Sequence, residues 1–311
     1  MNIEDIKRLL KNNGPRLAYQ SLDGMNWKQL TSNDIGSNLD YINSYLVRNN
    51  IVNKRILSLT GNCLESYILE SSLINLGCPL HFTTKTSLLD VQFNIEFDII
   101  IVDDFNDIKN NHILENIVKD KQIISIKNFK SSKESIGKSI SLQNIYKIGL
   151  LSKRNSNDIE EKIKPIPISK ISFIEANKVK SHSLKDLENF FAKNEFHFKA
   201  LGEKEFCTSL YLKKDIFSKV LNLFFLKFRC KFTNNVSLDS LVANINEVMP
   251  VNLVIDSESL KNITNLCYIN KVNFSDLTGS KIKKIITYGL SLDQNIELIK
   301  KEKIIIIDLF D

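Results

Sequence analysis

Short apolar runs separated by helix-compatible stretches recur along this chain, and that alternation confines it to a narrow group of folds. Arg55–Thr60 reads as a strand, Leu64–Leu76 as a helix and Pro79–Thr83 as a second strand, which together make a βαβ unit. Phe97–Val102 and Gln122–Ile126 then flank a polar, helix-compatible stretch, Asp107–Val118. Beyond Ile168 the pattern resumes, with strands predicted near Ser169–Ile174, Phe206–Tyr211, Asn252–Ile255, Lys284–Tyr288 and Ile304–Leu309. The helices predicted among them are Leu184–Lys193, Ile216–Phe228, Leu238–Val248 and Ser291–Lys300. Strands joined through helices run parallel, so the predicted fold class is α/β, with two mostly parallel sheets flanked by helices.

The front of the chain reads differently. Arg16–Tyr19 and Asp23–Trp27 form a predicted hairpin with Asp23-Gly24 as its tight turn. Within Trp27–Val47, the spacing of Leu30, Ile35, Leu39, Ile42 and Leu46 predicts an amphipathic helix capped by Thr31, Ser32 or Asn33. Ser131–Ser141, rich in Ser and Lys, is assigned to a loop, and the polar stretch Lys153–Pro167 to a linker. These breaks divide the chain into an α/β subdomain over 1–165 and another over 166–311. No internal repeat is present.

With 311 residues, 43% of them hydrophobic and 25% charged, the chain can bury a large core and lacks the composition of a disordered or fibrous protein. Ile304–Ile307 and Leu221–Leu226, its longest apolar stretches, are far too short to cross a bilayer. No signal peptide is recognised at the front, and the expected location is the cytoplasm. The five cysteines, Cys63, Cys78, Cys207, Cys230 and Cys267, include no pair at two-residue spacing, which argues against zinc and for core thiols in a reducing compartment. The net charge of +6 is local: between Lys119 and Lys185 stand 15 Lys or Arg against 6 Asp or Glu. That segment is almost all Lys, with only Arg154 and few aromatics, so it reads as a solvated surface, with a phosphate- or nucleic-acid-binding module as an alternative.

Several landmarks fall in one order. Asn26–Leu30 (NWKQL) is similar to the opening motif of adenylate-forming enzymes. Arg55–Asn62, followed by Glu65–Gly77 and Pro79-Leu80, resembles their first strand, helix and strand, and Asp98–Asp103 stands where the next strand is placed. Ser280–Leu292 resembles the segment ending in GGapL, with Gly289 and Leu292 in matching positions. Lys303–Asp311 looks like the strand that leads into YGxTE. The chain thus resembles the front part of the AMP-dependent synthetase/ligase superfamily along almost its whole length.

The resemblance implies a loop of the type YTSGTTGxPKG, whose small residues let backbone N–H groups approach the ATP phosphates. Here the matching strand, Lys170–Ile174, and the matching Ser181-His182 are separated only by Glu175–Lys180, which contains no glycine. Two other family positions differ: Tyr211–Lys214 stands for an aromatic-plus-histidine patch, and Asp256 for a proline. The TE acid, the ribose-binding aspartate and the C-terminal lysine domain would lie beyond Asp311, so the expectation is a chain ending before YGxTE.

The expected function is a degenerate ligase-like protein that does not adenylate carboxylates by itself and binds an acyl or aryl carboxylate or a protein partner. An alternative is an acid–CoA ligase-like enzyme completed by a separate C-terminal polypeptide. No catalytic or metal residue is assigned. The degenerate nucleotide-site positions are Lys178, Lys180, Tyr288 and Gly289. No cofactor is expected, with ATP or AMP and Mg²⁺ the ligands should the loop be competent. Expected partners are another protein or a second copy through the C-terminal strand, and nucleic acid is not among them. HExxH, GxSxG, GxxxxGK[ST] and GxGxxG are all absent, His81, His112, His182 and His197 are dispersed, and Asp103, Asp104 and Asp107 after a strand end read as solvated.

Overall fold

Two seven-stranded sheets organise the chain, each buried by helices. The structure is a computed structural model and describes residues 3–23, 26–84, 96–129, 138–155, 171–175, 178–199, 201, 205–235, 237–278, 281–289 and 296–309. By packing, residues 1–7, 34–61 and 65–187 form one unit, and residues 8–33, 62–64 and 188–311 form the other. None of the described helices is long and apolar enough to cross a membrane.

The sheet of the first unit is built from β3 (Ile56–Ser58), β4 (Leu80–Phe82), β5 (Ile99–Val102), β6 (Gln122–Ser125), β7 (Lys138–Ser141), β8 (Ile171–Glu175) and β9 (Lys178–His182). Its order is β7-β6-β5-β3-β4-β8-β9, parallel throughout except for the β8–β9 hairpin. Every residue of β3 and β5 is buried, because a parallel strand covered on both faces needs a continuous apolar run. Helix α2 (Ser32–Arg48) and helix α6 (Leu142–Asn155) approach so closely that a Cβ on Gly149 would lie 1.9 Å from the Tyr41 carbonyl oxygen. Around this contact Asp40 accepts from Lys153 at 2.6 Å and pairs with Lys7 at 3.0 Å. Burial pushes the Asp40 carboxyl up, but these two ammonium groups outweigh it and hold the group below its ordinary value.

The second sheet has the order β14-β13-β12-β10-β11-β1-β2. Its central strands are β10 (Phe206–Leu210), β11 (Lys231–Asn235), β12 (Asn252–Ile255), β13 (Lys284–Tyr288) and β14 (Ile305–Leu309), all parallel to their neighbours. The hairpin β1 (Leu17–Asp23) and β2 (Asn26–Thr31) joins it through Tyr19 opposite Phe232. Helix α8 (Ile216–Lys227) is rich in apolar residues and is buried from Ile216 to Leu226, Ser218, Lys219 and Asn222 included. Phe224 stacks on Phe198 at 3.8 Å and on Phe191 at 4.3 Å between ring centroids.

The α/β class with two mostly parallel sheets is observed. β8 pairs with β4 through Leu80 and Ile171, and the first packing unit runs on to Leu187. The N-terminal hairpin in turn belongs to the second unit. Asp23 pairs with Asn26, so residues 24 and 25 connect the strands and the expected Asp23-Gly24 turn falls outside the described residues. The predicted loop at Ser131–Ser141 ends in β7, and α6, which follows, runs into the first three residues of the expected linker Lys153–Pro167, the rest of which lies outside the described residues. Helix α1 (Ile3–Asn13), β9, β11 and helix α10 (Ser257–Asn270) are further elements the sequence pattern did not mark. Four of the five cysteines are buried free thiols, Cys63 being partly exposed.

Candidate functional site

In parallel sheets ligands gather at the carboxyl ends of the strands. In the second unit Tyr211 leaves β10, Asp256 leaves β12 and Tyr288 closes β13, so these three side chains share that edge. Behind them stands a cluster of rings: Phe190 meets Tyr288 edge-on at 5.4 Å, Phe217 lies 6.0 Å from Tyr288, and Tyr211 meets Phe217 at 4.9 Å. Tyr288 is half-buried and Gly289 exposed, with a φ of 68° that suits a residue without Cβ.

The polar groups of this edge are already committed to one another. Tyr211 donates to Asp215 Oδ2 at 2.7 Å, while Asp215 caps α8 by accepting from Ser218 N at 3.0 Å. Burial pushes the Asp215 carboxyl above its ordinary value against the pull of these donors. Burial and then the Asp215 charge push the Tyr211 hydroxyl well above its own, so at neutral pH Tyr211 remains a donor. Asp256 caps α10 by accepting from Ser259 N at 2.8 Å and Ser259 Oγ at 2.9 Å. Its second role is to accept from Leu212 N at 2.9 Å, which fixes the loop after β10. Asn62 donates to the carbonyls of Tyr211 and Lys213, the latter at 3.2 Å. The residues standing for the family's histidine patch and proline therefore have structural work in this chain: Asp256 is an N-cap, a role the Asp256–Ser259 spacing could have signalled.

Deeper in the same unit lies a buried amide and hydroxyl network that sequence reasoning missed. Asn235 donates to Thr208 Oγ1 and to the Ser209 carbonyl, both at 2.8 Å, and accepts from Asn244 at 2.8 Å. Ser209 donates to Asn234 Oδ1 at 2.7 Å, and Asn234 donates to Asn222 at 2.9 Å. Asn244 Oδ1 is buried without a partner among the described residues.

The position of the family's phosphate loop is in the first unit. Ile174 pairs with Val179 and Glu175 with Lys178, so two residues, 176 and 177, join the strands. Lys178 and Lys180 are exposed side chains of an edge strand, not of a loop. They belong to the first unit, and Tyr288 and Gly289 to the second. Ser181 and Ser172 share a hydrogen bond of 3.0 Å across the hairpin, and His182 packs edge-on against Phe173 at 5.7 Å.

Other candidates resolve into structure. Asp103 takes the Gly61 N–H on both oxygens, at 3.0 and 2.8 Å, and Asp104 accepts from Asn106 N at 2.9 Å and pairs with Lys127 at 3.7 Å, so neither is merely solvated. Glu70 is buried and accepts from Ser58 at 2.7 Å and Thr60 at 3.0 Å. Burial, and then the charge of Arg55, hold His81 below its ordinary value. Among the described residues no three His, Cys, Asp or Glu side chains are placed to hold a metal ion. Within the lysine-rich segment, Lys127 and Lys153 are paired with acids.

No protein-family model and no curated protein matches the chain. Solved structures do. The A domain of a carboxylic acid reductase from Segniliparus rugosus superposes with a TM-score of 0.69 at 8% identity, covering 97% of this chain and 58% of that one. Acetoacetyl-CoA synthetase from Streptomyces lividans gives 0.66 at 11% identity, over 98% and 50%. The luciferase-like enzyme of the mealworm Zophobas morio gives 0.64 at 13% identity, over 97% and 70%. The chain thus spans between half and 70% of the length of these three proteins. At such identities the likeness speaks for the fold alone: the chain carries the two-sheet α/β fold of the N-terminal domains of adenylate-forming enzymes.

Proposed function

We propose that this chain uses the adenylate-forming fold as a binding scaffold for an acyl or aryl group and does not itself adenylate carboxylates. The observation that carries this reading is the direct pairing of Glu175 with Lys178. A triphosphate is held by several backbone N–H groups converging from a glycine-rich loop. Two residues between paired strands are too few to supply such a cradle. The sequence there holds an acidic residue, Glu175, and no glycine, and Lys178 and Lys180 offer charge without aimed amides. ATP and Mg²⁺ therefore do not fit the residues present, and no chemical step is assigned to them.

What supports the scaffold reading is the carboxyl edge of the second sheet. There the half-buried Tyr288 presents an aromatic ring backed by the buried Phe190 and Phe217, while the neighbouring Tyr211 hydroxyl is already spent on Asp215. Calorimetric titration with Mg-ATP, with AMP, and with aryl and acyl carboxylates tests the reading. The expected result is carboxylate binding without nucleotide binding, weakened by Tyr288→Ala. Pyrophosphate release on adding ATP and any carboxylate would overturn it.

A further inference from the structure

The opposite, amino-terminal rim of the second sheet has no role in that reading and carries an unusual surface. Helices α9 (Leu238–Val248), α10 and α12 (Ile296–Lys301) end at this rim, and β12, β13 and β14 begin at it, with Asn252, Lys284 and Ile305 side by side in the first row. The connecting turns leave large apolar side chains in solvent. Tyr268 is 70% exposed and Ile269 72% exposed on the last turn of α10, and Met249, Val272 and Ile305 are exposed beside the ends of the three helices.

Lysines are interleaved with these apolar groups. Lys271 precedes Val272, Lys281 reaches Met249 Sδ at 3.0 Å, and Lys283, Lys301 and Lys303 are exposed on the same turns. Four acids stand nearby, among them Glu205 before β10, which accepts from Asn252 Nδ2 at 2.9 Å. Glu302 accepts from the Phe274 and Ser275 N–H groups at 2.6 and 2.9 Å, Asp276 from Asn273 N at 3.1 Å, and Glu247 from the Trp27 indole at 2.6 Å. These bonds come from neutral N–H groups and leave the carboxylates charged, but Lys271, Lys281, Lys283, Lys284, Lys301 and Lys303 outnumber them, so the rim is basic as well as apolar. A second copy of the chain would bring like charges together, and a nucleic acid would gain nothing from burying Ile269, Met249 and Ile305. A bilayer with anionic lipid satisfies both features at once, since lysines meet the headgroups while aliphatic and aromatic side chains enter the boundary with the acyl chains.

We propose that the amino-terminal rim of the second sheet, centred on Tyr268, Ile269 and Met249 and flanked by Lys271, Lys281 and Lys283, docks reversibly on an anionic membrane surface. The test is co-sedimentation of the full chain with phosphatidylcholine vesicles and with vesicles that also contain phosphatidylserine. Binding to the second kind, reversed by added salt, is expected. Ile269→Asp, and separately the pair Lys281→Glu and Lys283→Glu, should each lower the partition about tenfold or more, as losing an inserted side chain or two surface lysines does. All the changed side chains are exposed, and circular dichroism checks that each variant stays folded. Absence of sedimentation with either vesicle, equal sedimentation with both, an Ile269→Asp variant that binds like the parent, or binding to heparin without binding to vesicles would each overturn the proposal.

Discussion

Gly149 should be among the least replaceable residues of the first unit. An added methyl at this position would stand 1.9 Å from the Tyr41 carbonyl oxygen, 2.6 Å from its carbon and 2.9 Å from the Tyr41 Cα, all backbone atoms that no rotamer change can move. An ordinary carbon–oxygen approach is about 3.3 Å, so α2 and α6 would have to separate by about 1.4 Å. Such overpacking costs about 1–3 kcal/mol, and the separation would also strain the Lys153–Asp40 contact and the 3.1 Å bond from Arg48 to Ser152. The intrinsic helix gain of alanine over glycine, about 1 kcal/mol, offsets only part of this. Gly36, inside α2, supplies the control because a Cβ there meets nothing within 4 Å. Urea unfolding followed by circular dichroism should show Gly149→Ala destabilised and Gly36→Ala stabilised by up to about 1 kcal/mol. In a thermal scan each kcal/mol corresponds to roughly 2–4 °C. A Gly149→Ala protein as stable as the parent, measured alongside a stabilised Gly36→Ala, would refute the close-contact reasoning.

Tyr211→Phe removes the donor to a buried carboxylate and should lower stability by about 1–3 kcal/mol in urea unfolding, with no effect if Asp215 recruits water instead. Asp256→Ala should cost about 0.5–2 kcal/mol as a lost cap, and faster hydrogen exchange at Leu212 would report the freed loop. Asp40 and Asp215 should shape the acid limb of stability in opposite senses. The Asp40 value is depressed in the folded chain, so its contribution is present above the unfolded value of about 3.9 and is lost as pH falls through its lower folded value. The Asp215 value is raised, so its protonated form favours folding and stability is lost as pH rises from about 3.9 through its folded value. Urea midpoints against pH should accordingly flatten at the acid end in Asp40→Asn and lose the decline above about pH 4 in Asp215→Asn; superimposable profiles would remove both assignments.

The alternation of strands and helices was legible because buried parallel strands such as Ile99–Val102 and, after Asn252, Leu253–Ile255 are short apolar runs. β11 escaped for the opposite reason. Of its inward residues, Thr233, Asn234 and Asn235 are polar, and Asn234 and Asn235 are kept inside by hydrogen bonds to residues on β10, α8 and α9 that only the folded chain brings together. β9 reads as a loop because Lys178, Val179, Lys180 and Ser181 are all exposed, leaving no apolar face to betray an edge strand. These strand partnerships were hidden too, since nothing local to Ile171 or Tyr19 says that their partners are Leu80 and Phe232. At the candidate site, Tyr288 and Gly289 were marked by their place in a resemblance, whereas the Tyr211–Asp215 bond and the ring cluster around Phe217 depend on distances no pattern encodes.

The turns along the amino-terminal rim hold Met249, Lys271 and Lys303 at φ values of 45°, 54° and 62°, the left-handed region where glycine is at ease and other residues are strained by about 1–2 kcal/mol each. Each of these positions is thus a place where local conformation and residue type are in conflict. Replacing all three by glycine would relieve that conflict and at the same time erase two positive charges and one exposed thioether from a single border of the sheet. The surface chemistry of this border is held against the preference of its own backbone, so a chain optimised for stability alone would arrive at a smoother and less charged rim than this one.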